Sequence, residues 1–365
     1  MSEESLRRKT LPQWLLPTPA RRDEGAGPPL REFTLRLMRG EDLRREEAAA
    51  LLDVLLDGTA TDAQIGAALV ALAVKGETVE ELAGLASSMR GRAVRINARH
   101  ERFVDTAGTG SSAAKTFNVS TTAAFVIAGA GLPVAKHGSR AATSRSGSAD
   151  VLTALGVNVS APPEVSEECL NELGVCFMFA PLYHGATARV AGVRRELGVH
   201  TTFNLLGPLT NPAGAPRQVI GVWHEALVEP LAHTLRVLGS ERAWVVHGLD
   251  GLDEVTLAAR TKVAEVSGGG VRVFETSPEE FGLEPAPLES LRGGDAEANA
   301  SIIRSILSGE RRDAGRALVC ANAAAALYVG GAASDLKGAA RLAAESIDGG
   351  AALAKLEGLV KASKG

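Results

Sequence analysis

A glycine-containing loop opens the part of the sequence that carries the clearest chemistry. Asp105 is followed by Thr-Ala-Gly-Thr-Gly, and an Asn-Val-Ser-Thr run at 118–121 begins an Ala-rich segment. A strand, a glycine turn and a helix start together present free backbone amides and a positive dipole end to a phosphate. Gly108 and Gly110 lack a Cβ, which permits positive φ angles and close approach to a ligand. The sequence therefore predicts a phosphate-binding loop, with an ordinary turn and helix cap as the alternative.

A second polar stretch runs from Lys136 to Asp150, directly after another predicted strand. It opens with Lys-His-Gly-Ser-Arg and continues with several hydroxyl side chains and a glycine. Lys and Arg make charge-assisted bonds to phosphate oxygens, and hydroxyls and glycine amides can fill the remaining acceptor sites. A solvated basic loop is the alternative. Two such loops at strand ends predict a ligand with two separated phosphate groups.

Two adjacent carboxylates, Asp253 and Glu254, lie in a Gly-Leu-Asp-Glu-Val-Thr run after the strand predicted to end at His247. Hard oxygen ligands with few protein contacts are what Mg²⁺ uses when substrate phosphates complete its octahedron. An isolated Asp-Glu pair is usually a solvated turn. The prediction of a magnesium site therefore depends on the phosphate loops that accompany the pair.

A fourth stretch combines arginines with apolar, proline-containing runs. Residues 179–184 read Phe-Ala-Pro-Leu-Tyr-His, residues 193–198 read Val-Arg-Arg-Glu-Leu-Gly, and residues 203–212 read Phe-Asn-Leu-Leu-Gly-Pro-Leu-Thr-Asn-Pro. One arginine in this region could hold a substrate carboxylate by a two-point fork. Arg194 and Arg195 are the candidates, although either one alone is more often a surface charge on a helix.

The elements that position these residues are of two kinds, and the first is a cluster of helices. Between residues 33 and 89 the apolar residues recur at helical spacing. Helix starts are predicted at Thr61 and Thr78, because short oxygen-bearing side chains accept hydrogen bonds from otherwise unpaired amides. Gly58 and Gly76 supply the breaks between the helices.

Beyond Arg95 short β-branched or apolar runs alternate with Ala-rich helical stretches. The predicted strands are Phe103 to Thr106, Pro133 to Lys136, Gln218 to Trp223, Trp244 to His247 and Val271 to Phe274. Strands separated by helices favour a parallel α/β sheet. The Ala-rich segments 123–130 and 321–327 are predicted to be core helices, since Ala allows close packing.

Composition restricts the class of protein further. The 39 basic and 43 acidic residues give a formal charge of -4, so no bulk field draws the chain to nucleic acid or an anionic membrane. Cys169, Cys176 and Cys320 have no metal-ligand spacing and indicate a reducing, cytoplasmic location. Residues 1–30 have no signal-peptide core and are expected to be a loose extension.

Taken in this order and at these separations, the four stretches resemble the anthranilate phosphoribosyltransferases, glycosyltransferases of the pentosyltransferase class that act in tryptophan biosynthesis. The likeness extends from about Phe33 to the C-terminus. It implies magnesium-dependent transfer of the 5-phosphoribosyl group from phosphoribosyl pyrophosphate (PRPP) to the amine of anthranilate. The products would be N-(5-phosphoribosyl)anthranilate and pyrophosphate.

The resemblance also implies an α/β protein with a small all-helical domain plus a larger α/β domain. The larger domain has a mainly parallel central sheet that is not a Rossmann fold, and the active site lies in the hinge cleft. The expected boundaries are 31–98 for the helical domain, with a segment of roughly 120–200 partly contributing, and 99–365 for the α/β domain. A homodimer formed through the helices is expected.

Family roles are carried over to this sequence position by position. His137 and Arg194 would be the catalytic residues, lining the path and pocket of anthranilate with Gly207. Asp253 and Glu254 would bind Mg²⁺, with Ser120 near a second ion. The residues expected to bind substrate are Gly108, Thr109, Gly110, Thr116, Asn118, Ser120, Thr121, Lys136, His137, Gly138, Ser139, Thr143, Ser144, Gly147, Arg194 and Gly207.

Two departures from the family pattern keep alternatives open. The first loop reads Gly-Thr-Gly-Ser-Ser-Ala at 108–113 where the family usually has Gly-Thr-Gly-Gly-Asp-Gly, and Ser139 replaces the usual Asn after Lys-His-Gly. The first departure bears on metal binding and the second on the acceptor. The alternatives are another aromatic amine acceptor, a related pyrimidine nucleoside phosphorylase, and a transferase-inactive relative that binds nucleic acid.

Overall fold

The computed structural model describes residues 30–110, 116–141 and 145–364. They fall into two compact units. The first, called the helical unit below, comprises the described residues up to Arg92 together with His184–Leu206. The second, called the α/β unit, comprises Ala93–Tyr183 together with the described residues from Gly207 onwards.

Helices make up most of the regular structure. In chain order they are α1 (Leu30–Met38), α2 (Arg45–Leu56), α3 (Asp62–Lys75), α4 (Val79–Arg92), α5 (Val119–Gly129), α6 (Ser148–Ala154), α7 (Pro163–Glu168), α8 (Ala180–Tyr183), α9 (Ala188–Leu197), α10 (Phe203–Leu209), α11 (Val228–Val237), α12 (Ala296–Leu307), α13 (Ala314–Val329), α14 (Leu336–Asp348) and α15 (Ala351–Ala362). Over the ranges that the structure describes, none of these is both long and apolar enough to cross a membrane.

Reciprocal caps start two helices of the helical unit. The Thr61 side chain accepts from Gln64 N at 3.3 Å, while Gln64 Oε1 accepts from Thr61 N at 2.9 Å. Thr78 and Glu81 make the same exchange at the start of α4, at 3.2 and 2.8 Å. Each exchange satisfies two amides that a helix start leaves unpaired. The two predicted helix starts are confirmed.

Glu81 also anchors the turn before α2. Its side chain is 0% exposed, and it accepts from Leu43 N at 2.9 Å and from Lys75 Nζ at 2.8 Å. Lys75 is itself 5% exposed. A buried carboxylate is tolerated only when it is paired and hydrogen-bonded, and here these two partners come from separate segments of the helical unit.

The α/β unit is built on one seven-stranded sheet with the order β3-β2-β1-β4-β5-β6-β7. The strands are β1 (Val104–Gly108), β2 (Val134–Gly138), β3 (Val175–Phe179), β4 (Arg217–Gly221), β5 (Arg242–Gly248), β6 (Thr261–Ser267) and β7 (Gly270–Thr276). Pairing is parallel from β3 through β5 and antiparallel for β6 and β7. The predicted α/β class with a mainly parallel sheet is confirmed.

All five predicted strands are present, but β3 and β6 were not predicted. The Val-Cys-Phe-Met-Phe run of β3 is a short apolar stretch, which periodicity cannot distinguish from a buried helical segment. The β6 sequence contains Ala and Glu, which are depleted in strands. Gly268 and Gly269, with φ of 56° and 79°, join β6 to β7 in a two-residue turn that requires positive φ.

The sheet also decides where a ligand can bind. Strand β1 has β2, the next strand in the sequence, as its neighbour on one side and β4 as its neighbour on the other side. Connections that diverge from neighbouring parallel strands leave a crevice outside the carboxyl ends of those strands. This edge receives the loops that follow β1, β2, β4 and β5. The Ala-rich helices α5 and α13 are buried in the core below it, as predicted.

Candidate active site

The loop after β1 is tied to the end of β4. Thr109 N donates to the Gly221 carbonyl at 2.9 Å, and Trp223 N donates to Thr109 Oγ1 at 3.2 Å. Gly110 follows with φ of 65°, a left-handed conformation that favours glycine. The predicted first phosphate loop therefore begins at the crevice between β1 and β4.

The acidic loop after β5 lies across the same two strand ends. A Cβ at Gly221 would come within 1.7 Å of the Asp253 carbonyl oxygen, so the two backbones are in direct contact. A Cβ at Gly108 would lie 3.6 Å from Asp253 Oδ2. Asp253 therefore sits above both β4 and β1, beside the glycines of the first loop.

Lys136, at the centre of β2, is buried between β1 and the first turn of α5. Its Nζ donates to the Thr106 carbonyl and lies 3.4 Å from Ser120 Oγ. Burial lowers the pKa of Lys136, while the carboxylates of Asp105 and Glu254 act in the opposite direction. A buried ammonium between these groups supplies positive charge directly under the loop.

Glu254 has an unusual charge environment. Burial and the neighbouring Asp253 carboxylate raise its pKa to about 8, against the opposing influence of Lys136 and of a hydrogen bond from the Ser120 backbone. Two carboxylates this close repel each other when both are charged. A divalent cation bound between them would remove that repulsion. The oxygen donors of Asp253, Glu254 and Ser120 therefore fit a hard cation such as Mg²⁺.

The protein alone does not complete a metal site. Across the described ranges no group of three or more His, Cys, Asp or Glu side chains could hold a metal ion. Mg²⁺ commonly uses one or two carboxylates and completes its shell with water and substrate phosphates. The acidic pair beside the predicted phosphate loop has the composition of such a partial site.

His137 is held from two directions. Its backbone N–H donates to Asp105 Oδ1 at 3.2 Å, and its ring Nδ1 lies 3.2 Å from the Gly207 carbonyl. A carbonyl can only accept, so this contact places the proton on Nδ1. Burial raises the pKa of Asp105 to about 6, although Lys136, Asn211 and the His137 amide lower it. The structure thus brings His137 and Gly207 together.

The second polar loop is folded tightly on itself. A Cβ at Gly147 would lie 2.3 Å from Ala141 N, and Asp150 Oδ2 accepts from both Gly147 N and Ala141 N at 2.9 Å. Gly138 is equally confined, since its Cβ would lie 2.2 Å from Ser148 Oγ. Ser139 is exposed. Thr143 and Ser144 lie outside the described residues.

Asn118 joins the two polar loops. Its Nδ2 donates to the Ser146 carbonyl at 3.1 Å, and its Oδ1 accepts from Ser146 Oγ at 3.2 Å and from Asn299 Nδ2 at 3.0 Å. Asn299 lies in α12 and was not predicted from the sequence. No local signal indicates it, because the contact spans 181 positions.

The models of two protein-family domains together match most of the chain. Residues 100–353 match the "Glycosyl transferase family, a/b domain", and residues 31–93 match the "Glycosyl transferase family, helical bundle domain". The anthranilate phosphoribosyltransferase of Moorella thermoacetica is 52% identical over 325 residues, covering 89% of this chain and 96% of that protein. The chain belongs to the anthranilate phosphoribosyltransferase family.

Solved structures of this family have the same fold. The anthranilate phosphoribosyltransferase of Thermus thermophilus superposes with a TM-score of 0.87 at 42% identity, over 91% of this chain and 99% of that one. The Saccharomyces cerevisiae anthranilate phosphoribosyltransferase in complex with PRPP and Mg has a TM-score of 0.84 at 27% identity, over 92% and 98% of the two chains.

Arg194 of the present chain lies in its helical unit. It lies in the last turn of α9, with its guanidinium 5.1 Å from the centre of the Phe203 ring. Burial lowers the pKa of Arg194, and its Nε has no hydrogen-bond partner within the part of the chain that is described. Arg195 is exposed. Of the two candidates, Arg194 is the one whose charge is partly withdrawn from water.

Thr116 and Thr121, two further residues predicted to bind substrate, lie in different surroundings. Thr116 forms an isolated antiparallel bridge with Arg292, and a Cβ at Gly293 would lie 2.6 Å from Phe117 N. The segment before α12 therefore packs directly on the end of the first loop. Thr121 is buried in the first turn of α5.

Proposed function

We propose that this chain transfers the 5-phosphoribosyl group from PRPP to the amine of anthranilate, releasing pyrophosphate, in tryptophan biosynthesis. One observation carries the proposal. A glycine loop, a buried lysine and an adjacent pair of carboxylates meet at the carboxyl edge of β1, β2 and β4, beside a second loop whose glycines and amides fold around Asp150. Such an edge fits a ligand with a pyrophosphate at one end and a phosphate at the other.

The donor occupies the two polar loops in this proposal. The pyrophosphate and ribose end is bound by the first loop, the start of α5 and β2, and the distant phosphate by the second loop. The residues for the first group are Gly108, Thr109, Gly110, Thr116, Asn118, Ser120, Thr121 and Lys136; those for the second are Thr143, Ser144 and Gly147. Gly138 and Ser139 complete the set of substrate-binding residues. Backbone amides at a helix start and a buried ammonium are well suited to phosphate oxygens.

Asp253 and Glu254 would hold Mg²⁺ on the pyrophosphate, with Ser120 close to a second ion. When bound, the cation supplies charge neutralisation for the leaving group. The adjacent Lys136 ammonium and the Gly110 amide act on the same oxygens, while the Thr109 amide holds the loop to Gly221. Pyrophosphate can then depart from the anomeric carbon, because the negative charge that accumulates on the leaving group is stabilised.

The acceptor requires orientation more than proton removal. The amine of anthranilate is neutral at pH 7, so it can attack the anomeric carbon directly once it is aligned. The new C–N bond replaces the C–O bond to pyrophosphate, and the nitrogen then releases one proton to solvent or to the departing pyrophosphate. His137, fixed by Asp105 and the Gly207 carbonyl, lines the approach and positions the amine. Arg194 holds the carboxylate of anthranilate by a two-point fork, which its partly buried and incompletely paired guanidinium favours.

The direct test follows the fluorescence of anthranilate after addition of PRPP and MgCl₂. Samples without PRPP, and samples with EDTA, are the controls. Loss of anthranilate that needs both donor and metal supports the proposal. A parallel series with other aromatic amines examines the acceptor, because Ser139 is exposed in the second loop. PRPP binding without turnover of anthranilate, but with turnover of another amine, would overturn the choice of acceptor.

We also propose that two copies associate through the helical unit. A groove of about 1140 Å³ runs between α1, α3 and α9, and Met38, Val70 and Val74 are exposed along it. Val74 is 82% exposed. Arg39 and Glu196 on its rim carry opposite charges, and a two-fold axis can bring each type of charge opposite the other. A second copy of this face is therefore the occupant that fits best.

Light scattering coupled to size-exclusion chromatography tests the association. The wild-type protein should have twice the mass of the chain, and Val74→Glu should have the mass of one chain. Val273→Glu replaces a valine exposed on β7 and serves as the matched control. A monomeric wild type at micromolar concentration, or a dimeric Val74→Glu variant, would contradict the proposal.

A further inference from the structure

Asn322 is a buried amide in the apolar stretch of a core helix. It lies in α13, is 4% exposed and is surrounded in sequence by alanines that are fully buried. A buried polar side chain destabilises the fold unless its hydrogen-bonding groups are satisfied. The position of Asn322 therefore requires partners inside the α/β unit.

Those partners are the two backbone groups of one residue. Asn322 Oδ1 accepts from Val255 N at 2.9 Å, and Asn322 Nδ2 donates to the Val255 carbonyl at 2.9 Å. A second bond runs from Nδ2 to the Leu318 carbonyl at 3.0 Å. The side chain thus binds the Val255 backbone at two points, as a neighbouring strand would.

Val255 directly follows Asp253 and Glu254. The loop that carries them has no regular secondary structure, so its backbone groups depend on other partners. On one side the Asp253 carbonyl rests against Gly221. Asn322 holds the loop on the other side of the acidic pair, so the two contacts together fix where both carboxylates lie.

We propose that Asn322 is a positioning residue for the acidic pair and thereby sets the affinity of the site for the divalent cation that accompanies PRPP. The inference rests on the proposed function, since it assigns Asp253 and Glu254 to metal binding. Asn322 touches neither the cation nor the substrate. It acts through the Val255 backbone, which determines the distance from the two carboxylates to the first loop.

Only an amide can make this contact. Asn supplies a donor and an acceptor at once, whereas Asp has the same shape but only accepts when ionised. In Asn322→Asp an oxygen would face the Val255 carbonyl, and the loop would move away. Asn322→Ser keeps a small polar group but cannot reach both backbone groups. Val319→Ala removes buried packing from the same helix but no hydrogen-bonding group, and it is the matched control.

The experiment measures PRPP binding by calorimetry over a series of MgCl₂ concentrations, with activity measured over the same series. For Asn322→Asp the MgCl₂ concentration that gives half-maximal binding should rise about ten- to hundredfold, as with other residues that orient metal ligands. The KM for anthranilate at saturating MgCl₂ should stay close to that of the wild type. Val319→Ala should lower the Tm and leave the MgCl₂ dependence unchanged.

The outcomes distinguish a failure of the positioning role of Asn322 from a failure of the proposed function. If Asn322→Asp does not give the circular dichroism spectrum of the wild type, Asn322→Ser supplies the measurement. An unchanged MgCl₂ dependence in a folded Asn322 variant would overturn the inference and leave the proposed function intact. A shift of the same size in Val319→Ala would also overturn it, because general loosening would then suffice. Wild-type protein that binds no PRPP with MgCl₂ would overturn the proposed function itself.

Discussion

The carbonyl oxygen of Asp253 occupies the space that a side chain at Gly221 would need. An ideal Cβ on Gly221 lies 1.7 Å from that oxygen and 2.7 Å from the carbonyl carbon. Neither atom can move freely, because both belong to the backbone. The carboxyl end of β4 therefore fixes the height of the acidic loop above the sheet.

Gly221→Ala should displace Asp253 and its neighbour from the first loop. A shift of about 1 Å in a group that positions substrate can reduce turnover about a hundredfold, and we expect a loss of that order in kcat/KM for PRPP. Gly91→Ala is the control, because a Cβ there meets nothing within 4 Å and Gly91 lies in α4. Steady-state kinetics of both variants would settle the matter, and equal activity would show that the loop adjusts.

Arg194→Ala should weaken anthranilate binding without affecting the donor. Loss of a charged hydrogen bond costs about 2 kcal/mol, so the KM for anthranilate should rise roughly thirtyfold while the KM for PRPP stays constant. Arg194→Lys should recover little, since Lys cannot form the planar fork or stack on Phe203 in the same way. Arg195→Ala, at the exposed neighbouring position, should behave like the wild type. An increase in the KM for PRPP would instead indicate a general defect.

The buried pair of Lys75 and Glu81 should matter more for stability than the exposed pair of Arg45 and Glu80. Lys75→Met leaves the Glu81 carboxylate buried without its cation, which costs about 3–5 kcal/mol. Arg45→Ala breaks an ion pair whose partners are 40% and 53% exposed, and such pairs contribute less than about 1 kcal/mol. Urea unfolding of the two variants provides the comparison. Equal midpoints would contradict the buried arrangement.

Glu47 should make the helical unit sensitive to acid. The side-chain hydrogen bond from Arg36, assisted by the Arg44 backbone, lowers the pKa of Glu47 from 4.5 to about 2. The group therefore stabilises the fold above pH 4.5, and this contribution is lost as the pH falls towards 2. Glu47→Gln should destabilise the protein by about 1 kcal/mol at pH 7. Below pH 2 the stability of Glu47→Gln should match that of the wild type. Thermal unfolding of both proteins over a pH series provides the measurement, and a difference that persists below pH 2 would indicate another cause.

Local chemistry explains why much of the fold could be predicted from the sequence. Thr61 and Thr78 cap helices by bonds to residues three positions away, which a sequence pattern records directly. The glycine turn after β1 and the Lys-His pair of β2 likewise belong to continuous stretches of chain. A parallel sheet brings the carboxyl ends of neighbouring strands to one edge, so predicting the strands also predicts that these loops meet.

The contacts that were not predicted connect distant parts of the chain. Asn118 and Asn299 are separated by 181 positions, and Val255 and Asn322 by 67. Asn299 and Asn322 lie in helices that look like ordinary core helices, and no periodicity distinguishes the polar residue that binds a distant segment. Gly221 is similar, because its need for a missing Cβ comes from Asp253 rather than from its own φ angle.

The most direct test of the proposed reaction is its stoichiometry. Wild-type protein would be incubated with anthranilate, PRPP and MgCl₂, and the anthranilate consumed and the pyrophosphate released would be quantified in the same samples. The account predicts equal molar amounts, together with a product whose mass is that of phosphoribosyl anthranilate, and neither change in the presence of EDTA. Pyrophosphate release with anthranilate unchanged, or consumption of anthranilate without pyrophosphate, would contradict it.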